Sequence, residues 1–239
     1  MIPTLKMNKE ATATASKGIL LVDKAPGSSS FQIVTLLRRL TGIDKIGHAG
    51  TLDPFATGVM VMLIGREYTR KSNEFLECDK VYRATLRLGI STDSYDIDGD
   101  ITAQCDFQPP LHDVVRAIEA FQGQISQIPP MYSAKKIQGK KLYELARKGI
   151  EVERKPALVE LKTILIRYEY PELEIEVACS KGTYIRSIAQ DMGQRLGCGA
   201  HVSTLIRLRS GSFTIENCVP QAVLKKPGFD IAPYLRSLP

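Results

Sequence analysis

The segment Gly47-His48-Ala49-Gly50-Thr51-Leu52-Asp53-Pro54-Phe55-Ala56-Thr57-Gly58 is where the sequence first suggests chemistry. Three glycines and a proline in twelve residues exclude a regular helix or strand. No Gly-Lys-Ser/Thr follows, so the segment is not a phosphate-binding P-loop. Its one acid is Asp53. Two readings of that residue stand side by side. The side chain can close an Asx-turn or cap a helix, or a rigid turn can present it as a nucleophile or base. One further feature could carry chemistry. The stretch 135–155 holds Lys135, Lys136, Lys140, Lys141, Arg147, Lys148, Arg154 and Lys155 against Glu144, Glu151 and Glu153. Such a run is either a solvated face or a contact for phosphates. Asp96-x-Asp98-Gly99 imitates part of a calcium loop. Counting from Ser94, however, Cys105 stands where the twelfth-position Glu is needed.

The elements that must position these groups follow from periodicity. Gly18 to Val22 and Val59 to Ile64 are apolar runs expected to form buried strands. Ser28 to Ser30 offer an N-cap for a helix over Phe31 to Leu40, with Val34, Leu37 and Leu40 inward and Gly42 closing it. Val81 to Leu88 alternates, with Tyr82, Ala84, Leu86 and Leu88 on one face. Leu111 to Phe121 is expected to be a helix that offers Val114, Val115, Ile118 and Phe121 to the core. Lys140 to Lys148 is expected to be a helix with Leu142, Leu145 and Ala146 inward. Leu158 to Ile166 and Leu173 to Cys179 are expected strands. Tyr184 to Leu196 has amphipathic-helix spacing and stops at Gly197. The order lacks a strict βαβ rhythm, so the expected class is α/β (α+β) with a mixed sheet rather than a doubly wound one.

Composition bounds the function. The chain has 239 residues, 44% hydrophobic and 24% charged, enough to bury a core without metal or disulfide staples. Net charge is +6, a modest excess that suits an acidic partner such as nucleic acid. The five cysteines are odd in number and none is spaced C-x-x-C, which points to a reducing compartment. His48, His112 and His201 form no metal motif. No run approaches a membrane span, and the first residues lack the apolar core of a signal peptide. The expected organisation is a loose tail over 1–17, a catalytic domain over 18–211 and a short C-terminal tail or stub over 212–239.

The Gly47–Gly58 segment resembles the signature of the TruB family of tRNA pseudouridine synthases. The resemblance continues through Asp79-Lys80-Val81-Tyr82-Arg83-Ala84 and Gly89, Thr92-Asp93, Asp96-x-Asp98-Gly99. It then takes in Gln127 to Lys136 (QIPPMYSAKK), Gly139 to Glu144, Cys179 to Arg186 (CSKGTYIR) and Gly197 to Val202. It spans residues 18–210. It implies a pseudouridine synthase fold, with a mixed, largely antiparallel sheet flanked by helices around a central cleft. The implied reaction converts uridine 55 in the T loop of tRNA to pseudouridine, on a base flipped out of its stack. Nothing is oxidised or added, so no cofactor is implied, and no metal. Asp53 corresponds to the family's catalytic aspartate, Arg186 to its arginine and Tyr82 to its active-site tyrosine. Tyr184 and Leu205 match positions lining the uridine pocket; Lys24 and His48 match positions near the RNA. Lys135 and Lys136 begin the basic stretch expected to meet the tRNA. The implied protein is a cytoplasmic monomer with tRNA, through its T arm and loop, as partner. Many bacterial members carry a C-terminal RNA-binding extension that here is absent or reduced. The alternatives are a non-catalytic RNA chaperone, or a synthase for another RNA or in a guide complex.

Overall fold

The computed structural model describes residues 17–137 and 139–238. Residues 1–16 of the expected tail lie outside them. The chain runs β1 (Gly18–Lys24), α1 (Ser30–Thr41), β2 (Ile46–His48), β3 (Thr57–Ile64), then the short helices α2 (Arg66–Thr69) and α3 (Ser72–Leu76). There follow β4 (Lys80–Leu88), the hairpin β5 (Ile90–Thr92) and β6 (Ile101–Gln104), α4 (Leu111–Glu119) and β7 (Gln122–Gln127). A small hairpin, β8 (Lys136–Ile137) and β9 (Lys140–Lys141), leads into α5 (Leu142–Ala146). The long strands β10 (Ala157–Glu169) and β11 (Glu172–Cys179) precede α6 (Ile185–Leu196) and β12 (Ala200–Ser210). The chain closes with β13 (Phe213–Thr214), β14 (Val219–Pro220) and single 3-10 turns.

One sheet organises the molecule, in the order β14-β1-β3-β12-β4-β11-β10-β7, with β2 added to β3 and β13 to β12. Only β1–β14 and β3–β12 are parallel pairs; the others are antiparallel. The sheet is therefore mixed and largely antiparallel, as expected. β1 and β3 are buried along nearly their whole length, because one cluster lies on each face. Leu20, Val22, Met60 and Met62 join the main core, while Ile19, Leu21, Val59 and Val61 join the smaller one. That explains why these strands read as continuous apolar runs rather than alternating ones. β4 and β11, covered on one face, do alternate. Their inward residues Ala84, Leu86, Ile175 and Val177 pack with Ile188, Ala189 and Met192 of α6 and Val114 and Ile118 of α4. Each such side chain contributes about 1.5–3 kcal/mol by leaving water.

Several expectations need correction. Val115 is exposed. The inward stripe of α4 is Val114, Ala117 and Ile118, continued by Phe121, and Val115 sits about 100° round from Val114. Leu40, on the same face but in the last turn of α1, is exposed, and the buried apolar residues of that helix are Ile33, Val34 and Leu37. The helix expected over Lys140 to Lys148 shrinks to Leu142–Ala146. A hairpin turning at Gly139 (φ +81°) takes its start, and Gly149 (φ +68°) follows its end. Only Leu142 of its expected inward residues is fully buried. The segment after Gly211 is built into the fold. β14 lies beside β1, Ile19 and Arg236 exchange two backbone hydrogen bonds of 2.8 and 2.9 Å, and Leu224 is buried.

Helix α6 approaches β12 closely at Gly193. A Cβ built there would lie 2.2 Å from the Ala200 nitrogen and 2.4 Å from the Gly199 carbonyl carbon. Backbone cannot yield as a flexible side chain can. Alanine inside a helix normally gains up to about 1 kcal/mol over glycine, whereas overpacking costs about 1–3 kcal/mol. Gly193→Ala should therefore lower the melting midpoint, by roughly 3–8 °C in a chain this size. A raised midpoint in a thermal scan would show that helix propensity wins and that the contact yields.

Candidate active site

The residues singled out by sequence come from distant parts of the chain and converge on one cavity of about 660 Å³. Asp53, Tyr82, Tyr184, Arg186 and Leu205 all line it. Asp53 stands on the loop between β2 and β3, and that loop is held from both sides. The Ser30 hydroxyl accepts from Leu52 N at 3.0 Å and donates to Leu52 O at 3.1 Å. Gly27 N donates to Pro54 O at 2.9 Å, and Ala56 N donates to Asp53 O at 3.1 Å. Lys24 reaches beneath the loop and donates to Ala25 O, Pro54 O and Ala56 O at 3.1, 3.0 and 2.6 Å.

Lys24 is fully buried, with its ammonium occupied by those carbonyls. The side chain faces the loop that carries Asp53, away from solvent. Burial pulls its pKa down to about 8, against the opposing pull of Asp53. The titration has a structural consequence. An ammonium has three donors for three carbonyls, and the neutral amine has two.

Arg186 is delivered by the first turn of α6. Gln127, at the end of β7, clamps the start of that helix. Its Oε1 accepts from Tyr184 N at 2.8 Å and its Nε2 donates to Tyr184 O at 3.0 Å. Ser187 Oγ donates to Ile128 O at 2.8 Å. A cation in the first turn opposes the helix dipole. Here two carboxylates offset it. Arg186 Nη2 donates to Asp53 Oδ1 at 3.1 Å, and Nε lies 2.9 Å from Asp53 Oδ2. Nη1 lies 3.5 Å from Asp96 Oδ2. The guanidinium also donates to Ser94 O at 3.1 Å and to Tyr132 O at 2.6 Å. Its side chain is 5% exposed against 31% for Asp53, so the cation is sealed in while the carboxylate opens onto the cavity.

Tyr82 projects from β4, opposite Arg207 of β12 and Val177 of β11. Burial pushes its phenol, and that of Tyr184, above the usual range, so both stay protonated at neutral pH. Leu205 and Cys179 supply apolar wall. His48 lies on β2, outside the cavity lining, with its pKa lowered by burial. Lys135 is exposed and outside the cavity lining, and Lys136 begins β8. In the same basic stretch the Tyr143 ring has Lys141 and Arg147 each 5.4 Å from its centroid, and Tyr143 and Arg147 are at the cavity wall. Arg154 is spent on Glu151 at 2.7 Å and Pro129 O at 3.3 Å.

Sequence reasoning missed Asp96, Lys80 and Arg207 as site residues. Asp96 is buried. Its Oδ1 accepts from Ser94 Oγ at 2.5 Å and Asp98 N at 3.1 Å, and its Oδ2 faces Arg186. The acidic run thus serves the arginine, and among the described residues no His, Cys, Asp or Glu group could hold a metal ion. Lys80 and Arg207 had a usable signal: each lies two residues along a strand from an assigned residue, Tyr82 and Leu205, and so on the same face. Arg207 is 1% exposed and donates to Val59 O at 2.7 Å and Gly50 O at 3.2 Å, bracing the start of the Asp53 loop. Among the described residues no helix is long and apolar enough to cross a membrane.

Comparisons with known proteins give this site a family. Residues 38–185 match the N-terminal domain of the TruB family of pseudouridylate synthases, and residues 186–227 match a tRNA pseudouridylate synthase B C-terminal domain. The chain is 54% identical over 227 residues to the tRNA pseudouridine synthase B of Chlamydia abortus, covering 95% of this chain and 97% of that protein. It is 56% identical over 220 residues to that of Chlamydia pneumoniae, covering 92% and 94%. A longer relative from Clostridium kluyveri is 43% identical over 203 residues, covering 84% of this chain and 70% of its own length. Among solved structures, a Cbf5-Nop10-Gar1 complex aligns with a TM-score of 0.69 at 26% identity, over 91% of this chain and 58% of the other. The family match runs from α1 to the first turn of α6 and contains both Asp53 and the residues that clamp Arg186, and the chain belongs to the TruB family of pseudouridylate synthases.

Proposed function

We propose that this protein isomerises uridine to pseudouridine in the T loop of tRNA, at position 55, with Asp53 as the catalytic carboxylate. The ion pair of Asp53 with the buried Arg186 at the cavity carries this reading. It supports an oriented carboxylate where a flipped uracil nucleotide would enter. The reaction breaks the bond from ribose C1′ to uracil N1 and forms one from C1′ to C5. C5 loses a proton and N1 gains one, so the atoms balance without an added reactant. Arg186 holds the carboxylate in place and turned towards the sugar. Tyr82, protonated and at the cavity wall, suits stacking on the base and donating through its hydroxyl. Leu205, beside Tyr82 on the same sheet face, and Tyr184 suit the remaining pocket lining.

Extruding the base costs a few kcal/mol. Contacts to the RNA backbone offset it, and Lys135, Lys136, Lys140 and Lys141, with Tyr143 between Lys141 and Arg147, are the proposed source. The proposed state is a monomer. The proposed setting is the cytoplasm. The identities of 54–56% to named tRNA pseudouridine synthases favour tRNA as the substrate over a guide-directed RNA.

The primary test incubates the protein with an unmodified tRNA transcript and maps pseudouridine by carbodiimide labelling and primer extension. One mark in the T loop is expected. Asp53→Asn should abolish it, by at least about 1000-fold in rate, while leaving tRNA binding within about twofold. A mark persisting in Asp53→Asn would remove that residue from the chemistry. Binding without any mark, even in the wild type, would favour the chaperone alternative.

Two dependences follow. As pH rises through about 8, Lys24 loses a donor to the Asp53 loop, so the single-turnover rate should fall with an apparent pKa near 8. Lys24→Met should be slow throughout and lack that limb; a profile shared with the wild type would assign the limb elsewhere. Affinity for tRNA should drop steeply with salt, and neutralising Lys135, Lys140 and Lys141 together should shallow the log–log slope by about 0.7–0.9 per lost phosphate contact. An unchanged slope would show that the stretch is only a solvated face.

A further inference from the structure

We infer that Gln221 is a positioning residue for this reaction, through which the C-terminal segment sets the Asp53 loop. The inference rests on the reading of Asp53 given above. Gln221 follows β14, is 4% exposed and belongs to the part of the chain that the sequence marks as a tail. Three of its four hydrogen bonds go to one short segment; the fourth, donated by Leu224 N to its carbonyl at 3.2 Å, stays within the C-terminal segment. Its backbone N–H donates to Asp23 O at 3.0 Å. Its side-chain Oε1 accepts from Ala25 N at 2.9 Å, and its Nε2 donates to Ser28 Oγ at 2.9 Å. The amide spans the turn between β1 and α1 and fixes both of its ends.

The other side of that turn is what holds Asp53. Within residues 24–30, Lys24 and Gly27 bond Pro54 O, and Ser30 bonds both polar groups of the Leu52 backbone. Asp53 thus sits between two residues that are each fastened to this turn, and the turn is fastened to Gln221. A shift of the turn carries Leu52 and Pro54 with it and rotates the carboxylate between them against Arg186. Displacements near 1 Å at a reacting group cost on the order of 100-fold in rate. Gln221 touches neither the cavity nor the carboxylate, so its effect should appear in the rate of the chemical step and not in tRNA affinity.

The test compares wild type, Gln221→Met, Gln221→Glu, Ser28→Ala, the Gln221→Met/Ser28→Ala double variant and Asp53→Asn, each at saturating unmodified tRNA in single turnover. Methionine keeps the length and loses both side-chain bonds. A carboxyl group at 221 can still bridge Ala25 N and Ser28 Oγ. Gln221→Met should lower the rate about tenfold with tRNA Kd within twofold, and Gln221→Glu should recover most of it. Ser28→Ala should slow the reaction in the same direction, and the double variant should be no slower than Gln221→Met, since both cut one path. Ser28→Ala removes only a hydroxyl from a half-buried turn, so the inference stays testable if the methionine variant folds poorly. A wild-type rate in Gln221→Met, a loss that only follows the fraction unfolded, or independent multiplying effects would each overturn the inference. If Asp53→Asn keeps its rate, the fault lies in the reading of Asp53, and Gln221 has nothing catalytic to position.

Discussion

The site depends on burying a guanidinium between two carboxylates. Arg186 lies almost wholly out of water and faces Asp53 and Asp96 together. A buried cation without partners is prohibitive in energy, so the surrounding structure must bring it oxygens. Those come from Asp53 on the β2–β3 loop, Ser94 and Asp96 after β5, and Tyr132 before β8. One side chain therefore ties together three connections that are far apart in sequence. The arrangement also divides the two acids. Asp96 is sealed and hydrogen-bonded by Ser94 and Asp98, whereas Asp53 keeps an open side towards the cavity. The acid able to meet a substrate is thus the one on the braced loop.

Bracing is the second constraint. A carboxylate on an irregular loop is only as well placed as the loop. Here nearly every residue flanking Asp53 has an anchor: Gly50 on Arg207, Leu52 on Ser30, Pro54 on Gly27 and Lys24, Ala56 on Lys24. Two of those anchors are buried cations donating to backbone carbonyls. Such placements cost desolvation, which shows in the lowered pKa of Lys24. A fold seeking stability alone would fill those positions with apolar side chains. Their retention fits a site in which rigidity of one loop outweighs the cost.

Much of this was legible in the sequence because local periodicity decided it. β1 and β3 had to be buried on both faces, β4 and β11 on one, and α6 had to present one apolar stripe. Asp53, Tyr82 and Arg186 could be named because their motifs are long, not because spacing alone assigns chemistry. Three kinds of feature were not legible. The resemblance places Lys24 near the RNA, but its burial depends on carbonyls some thirty residues away. Asp96 turns inward because of a tertiary partner, Arg186, whose place no local rule supplies. The residues after Gly211 lacked a long periodic element, yet their short β14 finds an open sheet edge beside β1. In each case a contact distant in sequence overrode the local pattern.

The most direct measurement is the single-turnover rate of Arg186→Lys on saturating unmodified tRNA. Lysine keeps the positive charge but offers a point charge in place of a planar fork. If the geometry of the ion pair sets the Asp53 carboxylate, the rate should fall by about 100-fold or more while tRNA affinity holds within about twofold. A wild-type rate in Arg186→Lys would contradict it, because charge alone would then suffice and the fork between Asp53 and Asp96 would have no catalytic meaning.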